Sequence, residues 1–156
     1  MKKIIILIFS VFTLTLFSGC LPTNQAEQSL DFIFGSPRVA TVEPKDGAEN
    51  IDLNSEIKIK FNKEISADTL NNRTVVVDYT NSDLGFNVNP FLGSEYKYEN
   101  KTLTIKLNKE FLPNQIVEVK LTNEIKSKEG RELTHSGKGG ESDNIRYVFK
   151  FKTKTE

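Results

Sequence analysis

The sequence predicts an all-β domain, a sandwich of two sheets made from seven or eight short strands. Apolar and polar residues alternate with a period of two over short runs, which is the pattern of half-buried strands. The runs are separated by turn-forming Gly, Pro, Asn and Asp at intervals of roughly 8–15 residues. One side of each run is apolar and the other carries Lys, Glu or Thr, so each sheet is expected to bury one face.

The predicted strands follow one another along most of the chain. They cover residues 37–43, 56–61, 74–79, 96–98, 103–107, 117–121 and 145–153, and a short run at 86–88 would add an eighth. The segment 44–47, Pro-Lys-Asp-Gly, is typical of a turn, in which Pro fixes φ and Gly accepts a positive φ. Asn100 and Lys101 are expected to form a hairpin turn, and Ser66 is expected to cap a single helical turn at 66–70.

The first 19 residues have the order of charge, apolar run and small residues that is typical of an export signal. Lys2 and Lys3 are followed by 14 uncharged residues, 4–17, and then by Ser18 and Gly19. This run is shorter than the roughly 20 residues that a helix needs to cross the hydrocarbon core. We therefore expect residues 1–19 to be a cleaved signal peptide, and a permanent transmembrane helix is the weaker alternative.

The end of this segment, Leu16-Phe17-Ser18-Gly19-Cys20, resembles the lipobox of bacterial lipoproteins. The resemblance implies that a diacylglyceryl group is attached to the sulfur of Cys20 and that the chain is cut just before it. The protein would then lie in the cell envelope, at the outer membrane or the cell surface. Two acyl chains suit an anchor, because one chain alone holds a protein to a membrane only marginally. The alternative is an ordinary signal peptide followed by a chance cysteine.

Residues 20–36 are expected to form the lipidated N-terminus and a tether. Their first half is polar and suits a flexible spacer. The segment Leu30–Phe34 is too apolar for a pure spacer, and two interpretations stay open. The favoured one packs it on the domain as an extra edge segment. The other makes it a surface that docks a partner or contacts the membrane.

The remainder, residues 37–154, resembles the bacterial Ig-like domains of the S-layer-protein type. Five motifs in the family's order carry the resemblance: Pro-Lys-Asp-Gly-Ala-Glu-Asn-Ile at 44–51, the strand and bend at 57–65, Leu112-Pro113 before Val117 and Val119, 125–133 around Gly130, and Phe-Lys-Phe-Lys-Thr at 149–153. The resemblance implies an immunoglobulin-like β-sandwich that acts as a structural, adhesion or binding module and shares no catalytic residues. The loop 134–144 is longer than is usual in the family.

Charge and cysteine content exclude several classes of function. The chain has 21 basic and 21 acidic residues, and loss of Lys2 and Lys3 with the signal leaves a net charge of −2. No basic excess is available to neutralise phosphates, so we expect no nucleic-acid partner. Cys20 is the only cysteine, so no disulfide can form within the chain.

Candidate metal and catalytic residues are few, and we expect no cofactor and no enzymatic activity. Glu43, Asp46, Glu49 and Asp52 lie near one turn and are candidate calcium ligands, since calcium prefers several oxygens. Their spacing matches no EF-hand loop, so a solvated acidic face is the favoured interpretation. His135 is the only histidine and Cys20 the only cysteine. A structural zinc site needs about four N or S ligands, so we expect no such site.

Two alternatives to a binding or structural module stay open. A small envelope enzyme or inhibitor would act through loops 80–93 and 134–144, because function concentrates in loops held by a rigid scaffold. A carbohydrate-binding module would need an exposed aromatic platform. The candidate residues for it are Tyr79, Phe86, Phe91, Tyr96 and Tyr98. For the favoured module, the expected contacts are a membrane through the lipid on Cys20 and a protein or glycan ligand of the domain.

Overall fold

The computed structural model describes residues 35–80, 93–134 and 144–155, and these residues fold as an all-β domain. They contain eight strands and one 3₁₀ turn: β1 (Val39–Glu43), β2 (Ala48–Ile51), β3 (Ile57–Phe61), the 3₁₀ turn (Ala67–Thr69), β4 (Val75–Tyr79), β5 (Glu95–Glu99), β6 (Thr102–Lys106), β7 (Ile116–Thr122) and β8 (Ile145–Thr153). No helix in these ranges has the length and apolar character needed to cross a membrane.

The strands form two sheets of four strands each. The first sheet has the order β1-β3-β6-β5, and the second has the order β2-β8-β7-β4. Neighbouring strands are antiparallel except for β2 and β8, which run parallel. Buried residues of both sheets form one apolar cluster. This arrangement confirms the predicted two-sheet sandwich.

The core lies between the sheets and is filled by the inward side of each alternating strand. In β3 the residues Ile57, Ile59 and Phe61 are buried, and the two lysines between them are exposed. The second sheet contributes Val75, Val77, Val117, Val119, Leu121, Phe149 and Phe151. Burial of each such side chain stabilises the fold by about 1.5–3 kcal/mol. The structure therefore confirms the predicted alternation, in which apolar side chains face the core and polar side chains face solvent.

The β5–β6 hairpin closes through a two-residue turn, as predicted. Asn100 and Lys101 have φ values of 50° and 62°, and Glu99 pairs with Thr102 on either side of them. Positive φ at both central residues defines a type I′ turn, whose twist matches that of the flanking strands. Asn adopts this conformation more readily than most residues do, which explains its place at the start of the turn.

Strand β2 was not predicted: the sequence indicates a turn at 44–47 and no strand between residues 43 and 56. Gly47 has the expected positive φ, 78°, and its N–H donates to the Lys150 carbonyl at 2.7 Å. The chain then runs beside β8, and the register shifts between Ala48 and Ile51. Asn50 has a φ of 58°. Such an irregularity removes the period-two alternation by which strands are found. The predicted run at 86–88 lies outside the described residues.

Ser66 precedes the 3₁₀ turn as predicted, but its side chain does not cap the turn. The hydroxyl instead donates to the Asp68 carboxylate at 2.6 Å. The carbonyl of Ser66 accepts from the Thr69 N–H at 3.0 Å and from the Thr69 hydroxyl at 2.7 Å. A capping hydroxyl would accept from the N–H of Asp68 or Thr69, and the Thr69 N–H bonds to the Ser66 carbonyl instead.

The sandwich has two ends, which we call the N-terminal pole (35–38, 62–66 and 122–134) and the cleft pole (44–56, 106–116 and 152–155). At the N-terminal pole the Thr134 N–H donates to the Pro37 carbonyl at 3.0 Å. At the cleft pole the Phe111 N–H donates to the Leu53 carbonyl at 2.8 Å. Opposite ends of β7 and β8 point to the two poles, because Thr122 pairs with Ile145 and Ile116 pairs with Lys152.

Candidate functional site

A polar cleft at the cleft pole is the candidate site. It lies between the turn that joins β2 to β3 and the turn that follows β6, and its two adjoining lobes have volumes of about 450 and 350 Å³. Both lobes are lined by Leu53, Asn54, Ser55 and Glu110, and the other lining residues are Asp52, Glu56, Lys106, Leu107, Asn108, Lys109 and Lys154. Three segments that are distant in sequence therefore build one surface.

Backbone hydrogen bonds and a buried ring hold the walls of the cleft together. The bond between Phe111 and Leu53 joins the two turns, and the Lys154 N–H donates to the Ile51 carbonyl at 2.9 Å. The Phe111 ring is buried and meets the Phe151 ring edge to face, with centroids 5.4 Å apart. Asp52 forms an ion pair with Lys154 at 2.9 Å. These contacts tie the three segments of the cleft to the sandwich.

The lining of the cleft balances opposite charges and adds neutral polar groups. Its carboxylates belong to Asp52, Glu56 and Glu110, its ammonium groups to Lys106, Lys109 and Lys154, and its neutral polar groups to Asn54, Ser55 and Asn108. These groups can form hydrogen bonds and charge pairs.

Leu112 adds one apolar contact point at the same pole. Its side chain is 52% exposed, and within the described ranges no other large apolar side chain is exposed. Its N–H donates to the Tyr79 hydroxyl at 2.9 Å, and its carbonyl accepts from the Thr153 hydroxyl at 2.8 Å. The backbone of Leu112 is thus hydrogen-bonded at both its N–H and its carbonyl.

The four candidate calcium ligands are not brought together. Glu43 lies in β1 of the first sheet and Glu49 in β2 of the second. Asp46 accepts a hydrogen bond from the Lys150 N–H at 3.0 Å, and Asp52 pairs with a lysine of the cleft. Within the described parts of the chain, no three His, Cys, Asp or Glu side chains are arranged to hold a metal ion. All four carboxylates are exposed to solvent.

The described members of the candidate aromatic platform turn towards the core. Tyr79, Tyr96 and Tyr98 are half-buried and pack against the apolar cluster. The Tyr96 hydroxyl donates to the Val75 carbonyl at 3.2 Å. The Tyr98 hydroxyl accepts from the Ile65 N–H at 2.8 Å.

Burial raises the pKa of all three phenols. Their hydroxyls are committed to contacts within the domain. Phe86 and Phe91 lie outside the described residues.

A charged cluster on the outer face of the second sheet was not predicted from the sequence. Glu118 is only 14% exposed, and its carboxylate pairs with Lys150 at 2.8 Å and also with Lys120. Burial by itself raises the pKa of Glu118, but hydrogen bonds and charges from the two lysines outweigh it and lower the pKa below 4.5. Cross-strand pairing of Glu118 with Lys150 could have been recognised only once the β7–β8 register was known.

Several predicted features lie wholly or largely outside the described residues. Cys20, His135, the tether up to residue 34 and the apolar segment Leu30–Phe34 are among them. Of the two candidate loops, only their ends are described. Thr80 bonds to the Ile116 carbonyl at the cleft pole, whereas Thr134 bonds to Pro37 at the N-terminal pole. The loops 80–93 and 134–144 thus leave the sandwich at opposite ends, an arrangement that does not favour a single site built from both.

Comparison with known proteins agrees with this architecture. The family model described as Bacterial Ig-like domain (Big_5) matches residues 35–153. The solved structure of the S-layer protein rSbsC is similar over 85% of this chain, with a TM-score of 0.52 and 14% identity. A structure of domains 1-6 of the surface layer protein SbsC is similar over 83% of this chain, with a TM-score of 0.54 and 14% identity.

These likenesses show a shared fold. In both cases the chain corresponds to 15% of the length of the S-layer protein chain. A structure of the N-terminal part of SbsC matches over 84% of this chain and 26% of its own, with a TM-score of 0.50 and 15% identity. Comparison with curated protein sequences gives no match.

Proposed function

Since the chain belongs to the bacterial Ig-like domain family, we propose that it is an exported envelope protein held to a membrane by lipid on Cys20. In this proposal the domain is a non-catalytic binding, adhesion or structural module. Its partner is a protein or a glycan of the envelope or of the surface that the cell contacts. The family match supports the module, and the sequence of residues 1–20 supports the anchor.

The observation that carries the anchor is the position of Cys20. It is the only cysteine of the chain, and it directly follows the export-type segment and the small residues Ser18 and Gly19. Each methylene of a buried acyl chain contributes about 0.8 kcal/mol, and stable attachment needs two membrane signals. A diacylglyceryl group on one sulfur supplies both.

The cleft pole supports a module that works by contact. It offers balanced charges, amide groups and the exposed side chain of Leu112 on a frame fixed by backbone hydrogen bonds. Rigid surfaces bind with a smaller loss of conformational entropy than mobile ones. Polar groups around an apolar contact are also the usual composition of a protein interface.

Substitution of the anchor residue tests the proposed attachment. In a bacterial host that lipidates exported proteins, the wild-type chain is expected to take up a palmitate analogue and to fractionate with membranes. Cys20→Ser should lose both properties, because serine has no sulfur to alkylate. Ser18→Ala is the matched control, since it keeps a small residue next to the cleavage position. Unchanged membrane fractionation of Cys20→Ser would contradict the anchor.

Site-specific photo-cross-linking in intact cells tests the module. A photoreactive amino acid at Asn54, in the cleft, is expected to form a specific adduct with an envelope protein or glycan. The same amino acid at Lys60, on the exposed side of β3, serves as the control and should form none. Identical adduct patterns at the two positions, or no adduct at either, would count against binding through the cleft.

A further inference from the structure

We infer that the outer edge of β5 is a docking surface for a second copy of this chain. In the pair, the two β5 strands run antiparallel, and Lys97 of each copy lies opposite Glu99 of the other. The four-stranded sheet that ends at β5 thereby continues into the same sheet of the second copy. This inference depends neither on the proposed lipid anchor nor on the cleft.

The first step is the direction of the backbone groups of β5. This strand ends its sheet, and within the described ranges it pairs only with β6. Glu99 and Thr102 flank the two-residue turn, and residues that flank such a turn exchange their backbone hydrogen bonds. Because bonded and non-bonded pairs alternate along antiparallel strands, the N–H and C=O of Tyr96 and Tyr98 point away from β6. They form a row of donors and acceptors that another strand can pair with.

The second step compares β5 with the other three edge strands. In β4 the Val75 N–H donates to the Asn71 carbonyl at 2.9 Å, and the Val75 carbonyl accepts from the Tyr96 hydroxyl at 3.2 Å. The Tyr79 N–H donates to the Asp78 carboxylate at 2.7 Å. Strands β1 and β2 each contain a register shift, an irregularity that disfavours pairing along an edge. Strand β5 pairs with β6 without a shift over all five of its residues, so among the described edges it is the best suited to accept another strand.

The third step is the charge pattern of the strand. Glu95, Lys97 and Glu99 lie on its exposed side, and the Lys97 ammonium and the Glu99 carboxylate of one copy are 3.2 Å apart. Two antiparallel copies centred on Lys97 place like charges directly opposite each other, which is unfavourable. A pair centred on Tyr98 instead places each Lys97 opposite Glu99 of the second copy. This register also turns the outward N–H and C=O of the two Tyr98 residues towards each other.

A pair centred on Tyr96 is the remaining register with opposite charges face to face, and it is less favourable. It leaves Glu99 opposite Gly93, where a φ of 90° departs from extended backbone. The favoured register instead brings Glu95 towards Lys101, in the turn of the second copy, and so adds an attraction between opposite charges. A single pair of strands is a small contact, so we expect a weak and transient association, which covalent trapping can detect.

Disulfide trapping in intact cells tests the pair with the full chain. Two differently tagged chains are expressed together, one with Lys97→Cys and the other with Glu99→Cys. Both side chains are more than 60% exposed, so neither change should disturb the fold. Opposed residues of a non-hydrogen-bonded pair have Cα atoms about 4.5 Å apart, within the range of about 4.4–6.8 Å that a disulfide spans. Two cysteines at the same position lie on a diagonal of about 7–8 Å. Mild oxidation should therefore link the mixed pair several-fold more than either variant expressed alone.

Matched controls separate docking at this edge from random collision. Lys58→Cys mixed with Lys60→Cys has the same two-residue spacing on an exposed side, but β3 lies between β1 and β6 and should give only background. The wild-type chain reports any linkage through Cys20. A mixed 97–99 yield no higher than that of the β3 pair would overturn the docking surface. Equal yield from Lys97→Cys alone would overturn the register, and adducts with other proteins only would overturn the second copy as the partner.

Discussion

Truncation of Phe111 to alanine should destabilise the whole domain, because this ring anchors the cleft pole in the core. The side chain is only 2% exposed and meets the Phe151 ring edge to face. An aromatic side chain buries about 150–250 Å², which at about 25 cal/mol per Å² corresponds to about 4–6 kcal/mol. Because alanine keeps one carbon of the side chain and leaves a cavity, we expect a loss of about 3–5 kcal/mol.

The next residue supplies a matched control. Leu112 belongs to the same turn but is 52% exposed, so Leu112→Ala should change the free energy of unfolding by less than about 0.5 kcal/mol. Urea denaturation followed by tyrosine fluorescence measures both, since the chain has four Tyr and no Trp. If Phe111→Ala costs no more than Leu112→Ala at an unchanged m value, the packing of this turn on the core is refuted.

Three further substitutions test polar contacts and a turn in the same assay. Glu118→Gln should destabilise the domain at pH 7, and its difference from wild type should shrink as the pH is lowered. A pKa that folding lowers stabilises the fold above the unfolded-state pKa, and this contribution is lost as the pH falls through the folded-state pKa. A difference that does not change with pH would contradict the ion pairs. Tyr98→Phe should cost about 1–3 kcal/mol by leaving the Ile65 N–H without its acceptor, and a neutral result would count against that bond. Lys101→Gly should gain about 0.5 kcal/mol, since glycine relieves the positive φ, and a loss would exclude strain at this turn.

Local patterns in the sequence were sufficient for most of the strands. Ile57, Ile59 and Phe61 alternate with lysines, and the structure buries all three. The bounds predicted for the last strand, 145–153, are those of β8. Such elements follow from side-chain alternation and from turn preferences, both of which act over a few neighbouring residues. Strand β2 has no such alternation, and its place depends on β8, about a hundred residues away.

The candidate site could not be predicted in the same way. Asp52 was recognised only as one of four neighbouring carboxylates, whereas the fold places it beside Lys154 and in a cleft with residues 106–110. Turn residues at 52–56 and 107–110 show where the chain reverses but not which turns meet. Tyr96 and Tyr98 show the same dependence on tertiary contacts. The sequence identifies them as aromatic, but only the fold shows that their hydroxyls bond to backbone groups.

The sequence by itself determined the all-β class, the hairpin turn at Asn100-Lys101 and the placement of the only cysteine behind an export-type segment. These features are local, because they depend on alternation, backbone preference and the order of residue types along the chain. Tertiary structure alone decided that β2 joins β8, that Phe111 ties the cleft together and that residues 35–38 are held at the opposite pole. Those features depend on contacts between distant segments, which form only when the two sheets bury their apolar faces together.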